Sequence, residues 1–345
     1  MNSHQGSRHI TLAHGGGGKA MRDLIETLFV RHFHNPWLTP LEDQARIGLG
    51  ELSPGGNRLA FTTDSFVVDP LFFPGGDIGT LAVNGTVNDL AMSGAQPLYL
   101  SCGMILEEGL SITLLEEVVE SMGRAADAAG VSIVTGDIKV VPRGAVDKLF
   151  INTTGLGVIP EGVHIASHRA QPGDAILVNG FMGDHGAAIV DARGDLALDN
   201  PVESDCQPLH GLVAAMLAAC PDIHCLRDAT RGGVATVLNE FVQAAQVGMR
   251  LEEASLPVRE TVRGVCEILG LDPLYLANEG KLVAIVPAEA AEAVLAAMRS
   301  HPAGREGAII GEVTAVPEGR VVLATALGGE RIVDMLVGEQ LPRIC

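Results

Sequence analysis

The sequence predicts two α/β domains of similar size, and three observations predict them. The chain has 345 residues, enough at about 150 residues per domain for roughly two units that each bury their own core. Segments with strand and helix patterns alternate along both halves. Between the halves, at 160–173, Pro160, Gly162, Pro172 and Gly173 interrupt a polar stretch, which reads as a boundary. Hydrophobic residues make up 47% of the chain and charged residues 19%, which excludes a disordered polymer. Glycine is abundant at 42 and aromatic residues are few, so tight turns and close backbone approaches around an Ala/Val/Leu/Ile core are expected.

The elements follow in order. A basic, glycine-rich arm runs to about Lys19, and Met21 to Phe33 has the spacing of an amphipathic helix. Residues 36–57 read as a Pro- and Gly-rich loop. Leu59 to Val68 reads as a strand closed by Asp69-Pro70, 77–94 as a helix, and Pro97 to Leu106 as a strand. Thr113-Leu-Leu-Glu116 offers a capping box for a long helix ending at Gly130. Two β runs follow, Val131–Val134 and Leu149–Val158. In the second half Ala175–Val178 reads as a buried strand, and 184–192, 208–219 and 233–246 as helices. A series Leu282–Val286, Glu289–Met298, Ala308–Val313 and Val321–Ala324 completes the chain as strand, helix, strand and strand.

With 42 acidic against 23 basic side chains the formal charge is −19. That excludes nucleic acid as a partner, since phosphate binding needs clustered Lys and Arg, and it excludes an anionic membrane surface. A small phosphorylated ligand stays possible where a divalent cation carries the opposing charge. No uncharged apolar run approaches the roughly 18 residues of a membrane span, and the first residues lack the apolar segment of a secretory signal. Six scattered cysteines without framework spacing point to reduced thiols and a cytoplasmic protein.

Four segments set an Asp at the predicted end of an element beside Gly, Thr or Asn. They are Thr62-Thr-Asp64-Ser-Phe, Val87-Asn88-Asp89-Leu-Ala-Met-Ser-Gly, Thr135-Gly-Asp137, and Arg227-Asp228-Ala-Thr-Arg-Gly-Gly233. Any one of these is explained by capping and turn chemistry. Four in one acidic chain point to a metal–nucleotide site, because Mg²⁺ takes one or two carboxylates plus substrate phosphates. The arm His14-Gly15-Gly16-Gly17-Gly18-Lys19 fails the Walker pattern at both ends, with Ala13 for the first Gly and Ala20 for the Ser/Thr. It is either a plain leader or a flap whose N–H groups fold over a ligand. Glu279 in Asn278-Glu279-Gly280-Lys281 is either a turn residue or a general base at a strand mouth, and Lys139 either faces solvent or meets a phosphate. Cys220, Cys225, His210 and His224 do not have zinc-site spacing. The sequence ends Leu341-Pro-Arg-Ile-Cys345. An α-carboxylate beside that thiol would hold its pKa up, making a poor nucleophile but a plausible carrier for a group loaded by another protein.

Taken together, HGGGGK, the run from Thr62 to Ala95, TGDIKVV at 135–141, RDATRGG at 227–233, NEGK at 278–281 and the terminal PRIC resemble the HypE family of hydrogenase maturation proteins, over nearly the whole chain and in order. The resemblance implies a two-domain α/β fold with mixed sheets, like aminoimidazole ribonucleotide synthetase, with the N-terminal domain pairing across a homodimer. It implies an arm and helix at 1–35, an ATP-binding dimerisation domain at 36–160, a C-terminal α/β domain at 170–335 and a flexible tail at 336–345. The activity it implies is ATP-dependent dehydration of a carbamoyl group on Cys345 to a thiocyanate, which supplies cyanide to the iron of [NiFe]-hydrogenase. The implied cofactors are ATP and Mg²⁺, and the implied partners are the carbamoyltransferase HypF and a HypC–HypD scaffold. In that chemistry Asp64, Asp89, Asp228 and Asp137 would hold Mg²⁺, and Gly15, Gly16, Gly17, Gly18, Lys19 and Asn88 would hold the nucleotide. Lys139 would neutralise developing phosphate charge and Glu279 would take the nitrogen proton. A selenophosphate synthetase or thiamine monophosphate kinase of the same superfamily, or a non-catalytic thiol carrier, is the alternative. A selenophosphate synthetase would be expected to carry Cys or Sec by its glycine-rich arm, which HGGGGK lacks, and neither alternative enzyme explains a terminal cysteine.

Overall fold

The computed structural model describes residues 9–15, 19–38, 56–194, 196, 201–338 and 341–345. The N-terminal helical segment begins with α1 (Lys19–Leu24), passes through a π-helical turn at Ile25–Phe29 and ends with α2 (Val30–His32). It buries Leu24, Leu28, Phe29 and Phe33. Most of the loop expected at 36–57 lies outside the described residues, as do Gly16, Gly17 and Gly18.

Four strands build the first sheet, in the order β1 (Gly56–Phe66), β6 (Leu149–Pro160), β4 (Gln96–Glu107), β5 (Ser132–Val141). A two-stranded ribbon, β2 (Phe72–Phe73) with β3 (Gly76–Asp77), follows β1 and leads into α3 (Ile78–Met92). Asp77 caps α3 by accepting from the N–H groups of Gly79 and Thr80. α4 (Ile112–Ala129) is the crossover between the parallel strands β4 and β5. It ends, as expected, at Gly130 in the left-handed conformation. Its start corrects the sequence reading: the N-cap is Ser111, without a side-chain capping bond, so Thr113 and Glu116 lie inside the helix. β5 also runs on through Thr135-Gly-Asp137, where the motif was expected to follow a strand. Gly136 permits this, because a Cβ there would stand 2.4 Å from the Cys102 carbonyl on β4.

The helices α3 and α4 bury one face of this sheet in a core with Phe66, Leu81, Leu100, Leu115 and Met122. Among the described residues the opposite face is largely bare. Leu59 is 56%, Phe61 75% and Ile105 44% exposed on it, and the strand registers place Asp137 and Lys139 on that same face.

The second sheet has seven strands in the order β13, β12, β9, β11, β7, β10, β8. In chain order its elements are β7 (Ala175–Val178), α5 (Asp184–Ala192), α6 (His210–Ala219), β8 (Cys225–Asp228), α7 (Gly233–Ala245), β9 (Gly248–Glu252), α8 (Glu260–Leu269), β10 (Leu282–Val286), α9 (Ala291–Ser300), β11 (Ala308–Thr314), β12 (Val321–Ala324) and β13 (Glu330–Val333). Every residue of β10 is buried. α7 covers one face, contributing Val234, Leu238 and Phe241. α6 and α9 cover the other with Leu212, Met216, Val294 and Met298. Such two-sided burial explains why β10 reads as an unbroken apolar run. Among the described residues no helix is long and apolar enough to cross a membrane.

Candidate active site between the two domains

Three acidic motifs converge where the domains meet. Asp64 is on β1, on the face turned towards α3. Asp89 is on α3 and accepts from the Thr62 hydroxyl at 2.9 Å. Asp228 ends β8. Just after it, Gly232 and Gly233 both take positive φ, and a Cβ on Gly233 would stand 2.4 Å from the Leu274 carbonyl. Only glycine lets the chain reverse there into α7, which is the local reason for the RDATRGG pattern.

The three carboxylates feel one another. Burial, and then the charge of Asp64, push Asp89 up to about 6. Burial, and then Asp89, push Asp228 up to about 7. Burial raises Asp64 as well, against the Ser65 N–H and Arg231. Like charges held together by the fold are the expected signature of a cation site. Among the described residues no three His, Cys, Asp or Glu side chains close into a preformed ion cage. The set therefore fits a divalent ion that completes its shell with ligand oxygens, as Mg²⁺ does with phosphates. A cleft of about 560 Å³ opens beside them, lined by Thr62, Asp89 and Asp228 and by the apolar Phe61, Ile165 and Leu226. That volume is in the range of small-molecule sites.

The raised carboxyl groups carry a sign for stability. Asp228 is harder to ionise folded than unfolded, so its stabilising contribution is complete below its ordinary value near 3.8 and is lost as pH rises through about 7. Buried His185 and half-buried His210, whose pKa values desolvation lowers, act oppositely at acid pH, so variants rather than absolute curves must be compared. Without nucleotide and divalent ion, Asp228→Asn should melt above the parent at pH 8, by roughly 5 °C, with the gap closing towards pH 4. A thermal-shift gap that is equal at both pH values would contradict the raised pKa.

Glu279 lies between the acidic set and the end of the chain. Its carboxyl is driven well above the usual range by burial, then by Asp205, Asp228 and Asp64. Its Oε1 has no hydrogen-bond partner. The backbone around it is tightly held. Asp205 accepts from the N–H groups of Glu279 (3.0 Å) and Gly280 (3.1 Å) and from Lys281 Nζ (3.0 Å). A Cβ on Gly280 would lie 1.9 Å from the Asp205 carbonyl, so the motif's glycine is a steric requirement. Asp205 is itself buried, which alone would raise its pKa; the Lys281 ammonium and the Glu279 N–H outweigh that and hold it below the usual range.

The last residues are docked close to Glu279 and Arg231. Ile344 and Cys345 are 3% and 8% exposed and belong to the N-domain core. The Val67 N–H donates to the Cys345 carbonyl at 3.0 Å and the Asp69 N–H to the Arg343 carbonyl at 3.2 Å, so the tail extends along the chain leaving β1. Arg343 pairs with Asp147 at 2.6 Å, and Arg193 donates to the carbonyls of Pro342 and Arg343. Arg231 Nη2 stands 3.3 Å from Cys345 Sγ. Burial, then the Glu279 charge, push this thiol up to about 11 despite Arg231, so in the docked state it is protonated.

Other expected site residues stand elsewhere. Asp137 and Lys139 pair with each other at 2.7 Å on the bare sheet face, their side chains about 60% exposed. Within one chain they are not brought to Asp64, Asp89 and Asp228. Gly15 ends a turn against β5, where a Cβ would meet the Val140 nitrogen at 2.6 Å, and Lys19 opens α1 with its side chain exposed. Asn88 is differently employed from the nucleotide contact expected of it. Its amide donates to the carbonyls of Gln207 and Glu279, both at 3.1 Å, and accepts from the Leu209 N–H at 2.7 Å. It ties α3 to the second domain. Sequence reasoning gave no role to His185, Asp205, Arg231 or Lys281. Gly183-Asp-His-Gly186 at a strand-to-helix junction and Ser204-Asp-Cys206 in a loop were the available signals.

The fold and the interdomain acidic site define a class. The description "AIR synthase related protein, N-terminal domain" matches residues 42–159, and its C-terminal counterpart matches 171–324. The chain is 59% identical to the carbamoyl dehydratase HypE of Rhodobacter capsulatus, over 97% of this chain and 98% of that one. It superimposes on a crystal structure of the hydrogenase maturation protein HypE in complex with ATP with a TM-score of 0.92, at 55% identity, covering 97% of this chain and 99% of that one. A chain of a HypE–HypF complex matches at 47% identity with a TM-score of 0.79, covering 91% of this chain and 99% of that one. The chain belongs to the HypE family of carbamoyl dehydratases. The two-domain AIR synthase-like fold read from the sequence is borne out.

Proposed function

We propose that this chain is an ATP-dependent carbamoyl dehydratase that works on a carbamoyl group carried by its own Cys345. The observation that carries the reading is the docking of the Cys345 thiol beside Arg231 and within the field of Glu279, whose buried Oε1 has no partner, at the edge of the acidic interdomain site. The overall change balances as thiol-bound C(=O)NH₂ plus ATP giving thiol-bound C≡N, ADP, hydrogen phosphate and one proton. The amide oxygen bonds to the γ-phosphorus as the bond to ADP breaks. As the phosphorylated imidate forms, the nitrogen releases its first proton to solvent; the C–O bond then breaks as phosphate leaves, and the second N–H proton passes to Glu279. Such a transfer needs positioning and charge neutralisation more than a protein nucleophile.

Asp64, Asp89 and Asp228 would hold the divalent ion. When bound, that ion neutralises the triphosphate and polarises the γ-phosphoryl group. Neutralising Asp64 and Asp228 also removes two of the charges that, after burial, oppose ionisation of Glu279, and so favours the form that accepts a proton. The docked thiol is protonated and enclosed, so loading by a HypF-type carbamoyltransferase requires the tail to swing out. The thiocyanate would then be handed to a HypC–HypD-type scaffold for the iron of [NiFe]-hydrogenase. The bare sheet face with Leu59, Phe61 and Ile105 supports a homodimer built through it. In such a dimer Lys139 and Asp137 face the partner copy, which is how the lysine would come to a phosphate and the aspartate to a metal ion. The glycine arm from Gly15 to Lys19 would cover the phosphates and exclude water.

The test is stoichiometry. With the chain carbamoylated by its transferase and excess Mg·ATP, one ADP should form per carbamoyl group, with a residual rate near zero for the unloaded chain. Equal ADP release from loaded and unloaded chains, or release that persists in Asp228→Ala, would overturn the reading.

A further inference from the structure

His185, in the first turn of α5, is fully buried and uses both ring nitrogens. Nδ1 lies 2.8 Å from Ser204 Oγ and Nε2 lies 2.7 Å from the Ile344 carbonyl. A carbonyl only accepts, so Nε2 carries the proton and Nδ1 accepts from the Ser204 hydroxyl. Ser204 Oγ also accepts from the Cys206 N–H at 3.2 Å, which leaves its own proton free for the ring. The imidazole packs edge-on against Phe73, with ring centroids 5.4 Å apart. The same Nε2 is 3.9 Å from Glu279 Oε1, the buried oxygen that has no partner. One N–H therefore stands between two acceptors, one on the chain end and one on the loop before β10.

We propose that His185 is the positioning residue that latches the tail: its Nε2–H holds the Ile344 carbonyl, which sets Cys345 beside Glu279 and Arg231, and it turns to Glu279 when the tail withdraws. The other tail contacts do not have this property. Arg193 and Arg343 act at the rim, and the Val67 N–H donates to Cys345 from the strand end. The switch keeps the imidazole N–H paired in both positions: with the tail docked the unpaired group is Glu279 Oε1, and with the tail withdrawn that oxygen gains the N–H while the Ile344 carbonyl passes to water, so no buried polar group is left without a partner. The inference rests on Cys345 as the group that moves between docked and loading positions, but its test reads tail position without any carbamoyl chemistry.

The experiment is alkylation of the full chain by iodoacetamide, without nucleotide, followed at Cys345 by peptide mass, with Cys220, at the end of α6 and outside the His185 network, as the internal reference. His185→Leu should label Cys345 ~10-fold faster than the parent, because one buried hydrogen bond no longer holds the tail. His185→Gln should return to within ~3-fold of the parent, since its amide donates to the same carbonyl. Ser204→Ala keeps the ring and its packing but frees Nδ1 to take the proton, and should label ~3-fold faster. A Leu variant within twofold of the parent, or a Gln variant as fast as the Leu variant, overturns the latch. If the Leu variant does not fold, an unchanged rate in Ser204→Ala overturns it. Failure of the water-loss chemistry would leave all these rates unaffected, so the two readings fail separately.

Discussion

Glu279→Gln should leave carbamoyl loading and nucleotide binding intact and slow dehydration by roughly 10³-fold, within the span usual for loss of a general base. The substitution keeps the side chain's shape and removes its capacity to take a proton. The fold should tolerate it well. Glu279 is buried among Asp205, Asp228 and Asp64, which oppose its ionisation, and an amide has no charge to oppose. Its backbone contacts to Asp205 and Asn88 do not involve the carboxyl. The measurement is a single turnover of the preloaded chain with Mg·ATP, quenched and read by mass. Retained loading with blocked water loss assigns the proton transfer to Glu279. A rate within tenfold of the parent would remove it from that role.

Cys345→Ala should abolish loading altogether, a total rather than a graded loss, because no other described thiol is placed to substitute. Burial pushes Cys102 and Cys225 up to about 12 and Cys266 up to about 11, and Cys206 is raised well above its ordinary value by burial and then by Glu279. Cys206 is the nearest competitor in character, since it also feels the Glu279 charge and accepts from Asn84 at 3.7 Å. It sits on a loop fixed by Asp205 and Ser204, whereas Cys345 is on the tail that the proposed loading step swings out to another protein. The alanine variant keeps the docked backbone bonds, including the Val67 N–H to residue 345, so loss of loading would not reflect a lost tail. A transferase assay with labelled carbamoyl donor, read by peptide mass, distinguishes no label from label transferred to Cys206.

Much of this arrangement was legible in the sequence, and the exceptions have physical causes. The bounds of β7, α5, β10 and β12 coincide with the sequence reading because buried apolar runs and Gly-bounded periodicity leave little choice of register. The strands β8, β9 and β13 and the helix α8 were not expected. β8 is only four residues long and its last two, Arg227 and Asp228, are charged, so nothing local marks it as sheet; its partner β10 does. Thr113 and Glu116 had capping spacing by coincidence, while the helix starts where Ser111 turns the chain. Asp64, Asp89, Asp228, Glu279 and Cys345 were all singled out and do converge. Asp137 and Lys139 were singled out from the same kind of motif, yet strand register turns them to the other face, which spacing alone does not reveal. His185, Asp205 and Lys281 matter through backbone groups or carboxyl groups distant in sequence, and only the fold brings those together.

The central claim is that water is removed from a group held on Cys345. The most direct measurement is the mass of the peptide containing Cys345, before and after Mg·ATP is added to the carbamoylated chain, with Cys345→Ala as the blank. The account predicts a carbamoyl adduct that loses the mass of one water on that peptide alone, and no adduct in the blank. An adduct that keeps its mass while ATP is consumed, or one that appears on another residue and persists in the alanine variant, would contradict it.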